Sequence, residues 1–577
     1  MDLEKQIKEF FKGDVDITDE TLEKYSHDAS VFVVRPQIVV YPKDSVDIQN
    51  LVRFVNKNKS TYPNLAITPR SAGTCMSGGA IGESIIIDFM RYMNKIDSIY
   101  KVDPFFIQPL FPGSHTVEIS GGAILEPGCF YRDFEEETLK LDLILPCYTA
   151  SKSINAIGGM IGNNSAGEKT LNYGKTEDYI KELSVVFADG YEYVVKPLTK
   201  SELYAKIGQN DFEGDIYKNI FQIIQNNKRE VTEAKPKVSK NSAGYYLWNV
   251  WDEKKEIFDL TKLIVGSQGT LGIVTKIKLH LVEVKKSSKL VVVFMQDLSH
   301  LGSLVDTILL FKPESIESYD NATMKLAIKF FPDFLKNKGV WGMIKFMFSF
   351  LPEAIMMLVN GIPKLILLVE FAGNDETKLN FQAQELIKNI QPFKPFKCVG
   401  RVTKNDQEAS KYWDIRRESF ALLRKHIKGK HTAPFIDDII VRPEFLPEFL
   451  PKLTKLLNSY KITYTIAGHA GNGNFHIIPL MNFSDEHTSE IILELSVKVY
   501  DLVLEYHGSI DAEHNDGIIR TPFLHQMFGE TIYGLFVQTK NIFDKTNIFN
   551  PGKKVGGSME YIKTHILHEA HNKDHFS

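Results

Sequence analysis

Small residues recur in this chain in a way that ordinary turns do not explain. Residues 69–79 read Pro-Arg-Ser-Ala-Gly-Thr-Cys-Met-Ser-Gly-Gly, and residues 153–167 read Ser-Ile-Asn-Ala-Ile-Gly-Gly-Met-Ile-Gly-Asn-Asn-Ser-Ala-Gly. Residues 240–247, Lys-Asn-Ser-Ala-Gly-Tyr-Tyr-Leu, and 266–275, Gly-Ser-Gln-Gly-Thr-Leu-Gly-Ile-Val-Thr, have the same texture. Interleaved Ile, Met and Tyr argue against flexible linkers. Such stretches read as backbone packed closely around a flat, polar body, because glycine permits both unusual dihedrals and close approach. The first stretch lies between apolar Leu65-Ala66-Ile67 and a strand at 84–89. Its N–H groups could face a phosphate. No Gly-Lys-Ser/Thr ends it, and it lacks the Gly-x-Gly-x-x-Gly spacing of a dinucleotide fingerprint. Taken alone it reads as well as a tight surface turn.

A chain of 577 residues supports two to four domains. Its net charge of -4 gives no basic face for nucleic acid, and none is expected as a partner. The four cysteines, Cys75, Cys129, Cys147 and Cys398, contain no Cys-x-x-Cys pair, which argues against a built-in iron–sulfur cluster and for a reducing cytoplasm. The start, Met-Asp-Leu-Glu-Lys-Gln, has no signal-peptide core. Residues 340–369 are dense in Met, Phe, Ile and Leu but are broken by Lys345, Pro352, Glu353, Pro363 and Lys364. That excludes a spanning helix. Two short helices remain, serving either as core of a domain or as a peripheral anchor on the inner face of a membrane.

Read in order, residues 1–30 look like a helical lead-in, 36–41 a strand, and 44–58 an amphipathic helix capped by Asp44 or Ser45. A strand at 116–119, a helix at 130–141, and a strand at 183–188 before the Asp189-Gly190 turn follow. After 284 the texture becomes strands alternating with helices: strands at 290–294 and 365–371, helices at 303–310 and 377–389, and a strand at 434–441.

Downstream, Gly-His-Ala-Gly-Asn-Gly-Asn-Phe-His at 468–476 brackets a tight turn with two histidines. Two histidines alone are as consistent with structure as with a metal. Glu513, on the turn 508–517 with His514 beside it, completes a set of two imidazoles and a carboxylate: His469, His476 and Glu513.

Together, residues 69–79, 157–167 and 266–275 resemble the FAD-binding half of the FAD-linked oxidase family, the vanillyl-alcohol oxidase or p-cresol methylhydroxylase-like fold, in its D-lactate dehydrogenase, glycolate oxidase and D-2-hydroxyglutarate dehydrogenase branch. The resemblance runs over roughly 30–555. It implies an α+β chain: a two-subdomain FAD-binding domain at 1–284, an α+β cap at 285–500, a returning segment at 501–555, and a polar tail at 556–577 that includes His565, His568, His571 and His575. It further implies that Arg70, Ser71, Ala72, Gly73, Thr74, Ser77 and Gly78 hold the FAD pyrophosphate. Gly158, Gly159, Asn163, Ser165 and Gly167 would line the flavin, with Gly269 and Ile273 closing the site. No histidine lies in these loops, so the FAD is expected to be non-covalent.

The same resemblance makes His469, His476 and Glu513 ligands of a divalent metal, zinc or manganese, and His514 the base. Arg416, in Trp413-Asp-Ile-Arg, would clamp the carboxylate of a small D-2-hydroxy acid, while Arg417 reads as surface charge. Where relatives acting on hydroxyglutarate carry a lysine this chain has Ile436, which favours a lactate-like substrate. Relatives have glycine after the base, whereas here Asn515-Asp516-Gly517 follows, with Asp516 expected to orient His514 or cap a helix and Arg520 to face the substrate. The electron acceptor is expected to be a quinone or a separate electron-transfer protein. A metal-dependent hydrolase and a non-catalytic FAD-binding electron-relay subunit are the competing readings.

Overall fold

Three short strands start the fold, two of them, Ile-Val-Val-Tyr and Ile-Ile-Ile-Asp, buried throughout. In the computed structural model, which describes residues 2–103, 108–109, 117–321, 323–325, 361–426 and 429–568, Ile38–Tyr41, Ile85–Asp88 and Ile67–Arg70 pair in parallel. Asp14–Asp16 adds an antiparallel edge, so the lead-in expected to be helical contains a strand between the helices Leu3–Lys8 and Asp19–Tyr25. Buried on both faces, such strands read as continuous apolar runs. Helix Ser45–Asn58 packs on this sheet. Asp44 caps it by accepting the Asp47 N–H. Its Ile48, Leu51, Val52 and Val55, spaced on one face, are fully buried against Ile38, Val40, Ile67 and Ile85. Each such side chain contributes about 1.5–3 kcal/mol on burial.

The second sheet runs Glu192–Val195, Ile180–Val186, Ile273–Glu283, Gly121–Leu125, Ile96–Lys101, all antiparallel. Gly121 and Gly122 open the strand Gly121–Leu125, just after the expected strand at 116–119. A Cβ on Gly121 would meet the Tyr100 carbonyl at 2.6 Å, so close strand packing selects glycine there.

The cap is built on an eight-stranded sheet ordered Cys398–Val402, Ser287–Met295, Leu365–Gly373, Ser315–Asp320, Thr463–His469, Asn474–Met481, His431–Thr432, with Ile439–Ile440 also paired to Asn474–Met481. Val291, Val293 and Met295 face one core, shared with helices Leu301–Leu309, Glu376–Asn389, Leu446–Ser459 and Thr488–Glu505. Leu290, Val292 and Phe294 face the opposite side, where Tyr412, Trp413 and Ile415 of helix Asp406–His426 cover them. Period-two alternation between two buried faces sets that arrangement. On the same helix Arg417 reaches Glu168 of the first half at 2.7 Å, and Arg416 meets Glu317 at 3.2 Å.

The expected strand at 434–441 is only Ile439–Ile440, because Asp438 takes a left-handed φ of 72° that no ladder accommodates. Helix Leu524–Phe543 returns to the second sheet, burying Ile532, Leu535 and Phe536, and Ile548 and Phe549 enter the core of the first. The segment expected to be a solvated tail docks as well. Helix Met559–His565 buries Ile562, and Ile566 and Leu567 are buried after it, with Ile566 bridged to Phe32. Apolar residues among lysines and histidines hid that in the composition. Residues 340–360 of the apolar segment, and 569–577 with His571 and His575, lie outside the described residues. Among the described residues no helix is long and apolar enough to cross a membrane.

Candidate active site between two halves

One cavity of about 440 Å³ is lined by both halves. From the first half come Arg70, Ser71, Ala72, Gly73, Thr74, Gly158, Gly159, Asn163, Ser165, Gly167, Gln268 and Gly269. From the second come Glu317, Arg416, Arg417, Asp437, His469, His476, Glu513 and His514.

The small residues are sterically required. Gly269 has φ +68°, and its Cβ would lie 2.2 Å from Pro69 Cγ. A Cβ on Gly158 would fall 2.6 Å from the Pro127 carbonyl, and one on Gly167 at 2.0 Å from the Tyr148 carbonyl. At Gly159 the nearest atom is Ser71 Cβ at 3.9 Å, so a side chain there would intrude on the cavity itself. Arg70 lines the cavity, yet its guanidinium donates to the His27 carbonyl at 2.7 Å and lies over Tyr25, bracing the loop. Three expected cofactor residues do not line the cavity. Ser77 is buried behind it, its carbonyl accepting the Ile518 N–H at 2.8 Å. Gly78 packs on Phe32 and Ile518. Ile273 points into the core of the first sheet, because Gly272 and Val274, its strand neighbours, take the cavity side.

Strands Thr463–His469 and Asn474–Met481 form a tight hairpin whose turn passes through Gly473 at φ +72°. Its Cβ would collide with the Val441 carbonyl at 1.8 Å. The hairpin delivers both imidazoles to one point. His469 Nε2 and His476 Nε2 each lie 3.3 Å from Glu513 Oε1. The ligand atoms of His469, His476 and Glu513 fall within 4.8 Å of one another, as do those of Asp437, His476 and His514. All three residues of the first set are buried. Two imidazoles and a carboxylate are a donor set that suits zinc or manganese.

The surrounding charges were not legible in the sequence. Glu317 Oε1 lies 2.5 Å from His469 Nδ1, and its Oε2 lies 3.2 Å from Arg416. Asp437 contacts His476 Nδ1 at 3.2 Å and His514 Nδ1 at 2.8 Å. Both histidines therefore turn Nε2 towards Glu513. Burial would lower the basicity of His476 and His514, but the neighbouring carboxylates outweigh it, raising His514 and pushing His476 up to about 10. Lys240, fully buried, places Nζ 2.9 Å from Glu513 Oε2. Burial of the Glu513 carboxyl is outweighed by Lys240 and His469, which hold it well below the usual range. Asp438 Oδ2 accepts the N–H groups of Ala512, Glu513 and His514, so it fixes the turn that carries them. Lys240 opened one of the small-residue stretches and Asp437-Asp438 stood in the expected strand, but no spacing rule marked either. Glu317, in an unremarkable strand, left no signal.

Other expected roles differ. Asp516 pairs with Lys554 at 2.8 Å and accepts the Gly244 N–H, so it neither orients His514 nor caps a helix with its side chain. Arg520 is fully buried and donates to the carbonyls of Asp437 and Asn515, away from the cavity. Ile436 is buried in the cap core and does not line the cavity. Arg417 does line it, lying over Trp413 and 2.7 Å from Glu168.

Residues 36–195 match the FAD binding domain family, and residues 284–554 match the FAD linked oxidases, C-terminal domain family. The chain is 26% identical to a D-2-hydroxyglutarate dehydrogenase of Escherichia coli strain K12 over 92% of this chain and 49% of that protein. It thus spans about half the length of that relative. It is 24% identical to a D-lactate dehydrogenase of Anaerostipes hadrus over 95% of this chain and 96% of that one. In fold it is similar to 4-ethylphenol oxidase from Gulosibacter chungangensis, with a TM-score of 0.63 at 13% identity, covering 95% of each chain. A p-cresol methylhydroxylase-type architecture, a cavity walled by small residues, and matches in both halves agree: this chain belongs to the FAD-linked oxidase family.

Proposed function

We propose that the chain is an FAD-dependent dehydrogenase that oxidises a D-2-hydroxy acid, D-lactate or a close analogue, to the 2-oxo acid. The observation that carries this is the single cavity in which the glycine-walled loops face Arg416, His469, His476, Glu513 and His514. The fit to FAD rests on a cavity of about 440 Å³ walled by small-residue loops and on the open face at Gly159, where a side chain would enter it. Bound there, FAD supplies the hydride acceptor, and a zinc or manganese ion held by His469, His476 and Glu513 supplies a Lewis acid for the substrate hydroxyl.

The chain's own groups do the rest. Arg416, steadied by Glu317, receives the substrate carboxylate and fixes which face of Cα meets the flavin loops. His514, its Nδ1 against Asp437, takes the hydroxyl proton at Nε2. Cys75 is buried and its thiol is pushed up by that burial, so it stays protonated, which supports non-covalent FAD. Electrons leave to a quinone or a separate electron-transfer protein, in the cytoplasm or at the inner face of a membrane.

Arg417 favours a second reading. A second guanidinium on the cavity wall, released by Glu168, suits a second substrate carboxylate, as in D-2-hydroxyglutarate. Anaerobic titration with D-lactate, glycolate and D-2-hydroxyglutarate, following flavin bleaching, separates these substrates. Bleaching by none of them overturns the proposal. His514→Gln should stay yellow and lose bleaching, and unchanged bleaching removes the assigned base.

A further inference from the structure

Asn515 follows directly on His514, and it does more than tolerate the turn. Its φ is +70°, a left-handed conformation that glycine adopts without strain and asparagine accepts. The side chain is completely buried. Its Nδ2 donates to the Asn163 carbonyl at 3.1 Å and to the Gly266 carbonyl at 2.9 Å. Those carbonyls belong to two different small-residue loops of the FAD half. Its Oδ1 accepts the Asp516 N–H at 2.7 Å, and its own N–H donates to Asp511 Oδ1 at 2.9 Å. One side chain therefore ties the turn bearing Glu513 and His514 to both loops. Next along the chain, the Gly517 N–H donates to Gln268 Oε1 at 2.8 Å, while Gln268 Nε2 donates to Asn163 Oδ1 at 3.1 Å.

We infer that Asn515 is a positioning residue that couples the two sites, so that FAD and a divalent metal ion each bind more tightly when the other is present. The cause is geometric. FAD pressing on the loops at 163–167 and 266–269 fixes the two carbonyls that Asn515 grips, and that fixes Glu513 one peptide beyond His514. A metal drawn to Glu513 orders the same turn and, through the amide, the loops. Linkage makes the effect reciprocal. The inference rests on the FAD and metal readings above.

The test is a thermodynamic cycle on the full chain stripped of flavin and metal. FAD affinity is measured by quenching of flavin fluorescence with and without Mn(II) or Zn(II), and metal affinity by calorimetry with and without FAD. The wild type should bind FAD about 5-fold or more tightly with metal present, with the same factor in the reverse titration. Asn515→Gly keeps the backbone conformation and removes the Asn515 tethers while leaving the Gly517–Gln268–Asn163 link, so it should bind both ligands singly but with a ratio clearly below that of the wild type. Asn515→Asp keeps the bond to the Asp516 N–H and presents an anion to two carbonyls, and it too should weaken the coupling. A wild type that binds both ligands with no mutual effect overturns the inference, as does Asn515→Gly with the wild-type ratio. A wild type that binds no metal in calorimetry overturns the metal reading, and the coupling with it.

Discussion

Lys240 belongs to the FAD half and neutralises a carboxylate of the cap, so replacing it tests the charge logic of the whole site. Lys240→Met keeps the length and apolar stem and deletes the ammonium. Nζ is fully buried, 2.9 Å from Glu513 Oε2. Without it the carboxylate keeps the imidazoles of His469 and His476, each 3.3 Å from Oε1, and that of His514 at 3.9 Å. Removing one partner of a buried pair costs about 3–5 kcal/mol. The Glu513 carboxyl is depressed in the folded state, so its contribution is present above its ordinary value of 4.5 and fades as pH falls below that. The penalty is therefore full at neutral pH and shrinks in acid. Because the chain has separate cores, a local measurement serves better than one unfolding midpoint. Hydrogen exchange of residues 508–520, with chelator at neutral pH, should speed up roughly a hundred- to several-thousand-fold, the range those energies convert to. Added zinc or manganese should narrow the gap, since a cation on the same carboxylate replaces the lost ammonium. Wild-type exchange rates in the chelated variant would refute the argument.

Further outcomes follow from the same geometry. Asp437→Asn should weaken metal binding by about 10- to 100-fold in calorimetry while FAD stays bound, because the carboxylate that orients His476 is lost. Gly269→Ala places a Cβ at φ +68° and 2.2 Å from Pro69 Cγ, and should give protein that does not retain FAD on gel filtration. Ile273→Ala should cost about 2–5 kcal/mol in denaturant unfolding and leave the flavin spectrum intact, since the side chain lies in the core and off the cavity. For the metal-free protein, His476 raised to about 10 gives stability that is complete below about 6.5 and is lost as pH rises through 10. Denaturant midpoints taken across that window should fall with rising pH, and should fall much less in Asp437→Asn.

The sequence by itself determined the cofactor class and the local frame. The motifs did so through the family they resemble; at Gly158, Gly167 and Gly269 the small residues also answer to the protein's own Pro127, Tyr148 and Pro69, which a Cβ would strike. Periodicity marked helix Ser45–Asn58, and the tight turn between His469 and His476 required both imidazoles to share a strand hairpin. Each of these signals is local, carried by dihedrals or by neighbours a few positions apart. What surrounds the reacting groups was decided by tertiary structure alone. Glu317 meets His469 across 152 positions, and Lys240 meets Glu513 across 273. Ser77, Gly78 and Ile273 shared a motif with cavity residues but point elsewhere, because alternation along a strand and the depth of a loop decide which side chains face the cavity. A carboxylate 152 residues away leaves no periodic trace, yet at 2.5 Å in a buried site it sets the tautomer, charge and aim of a histidine.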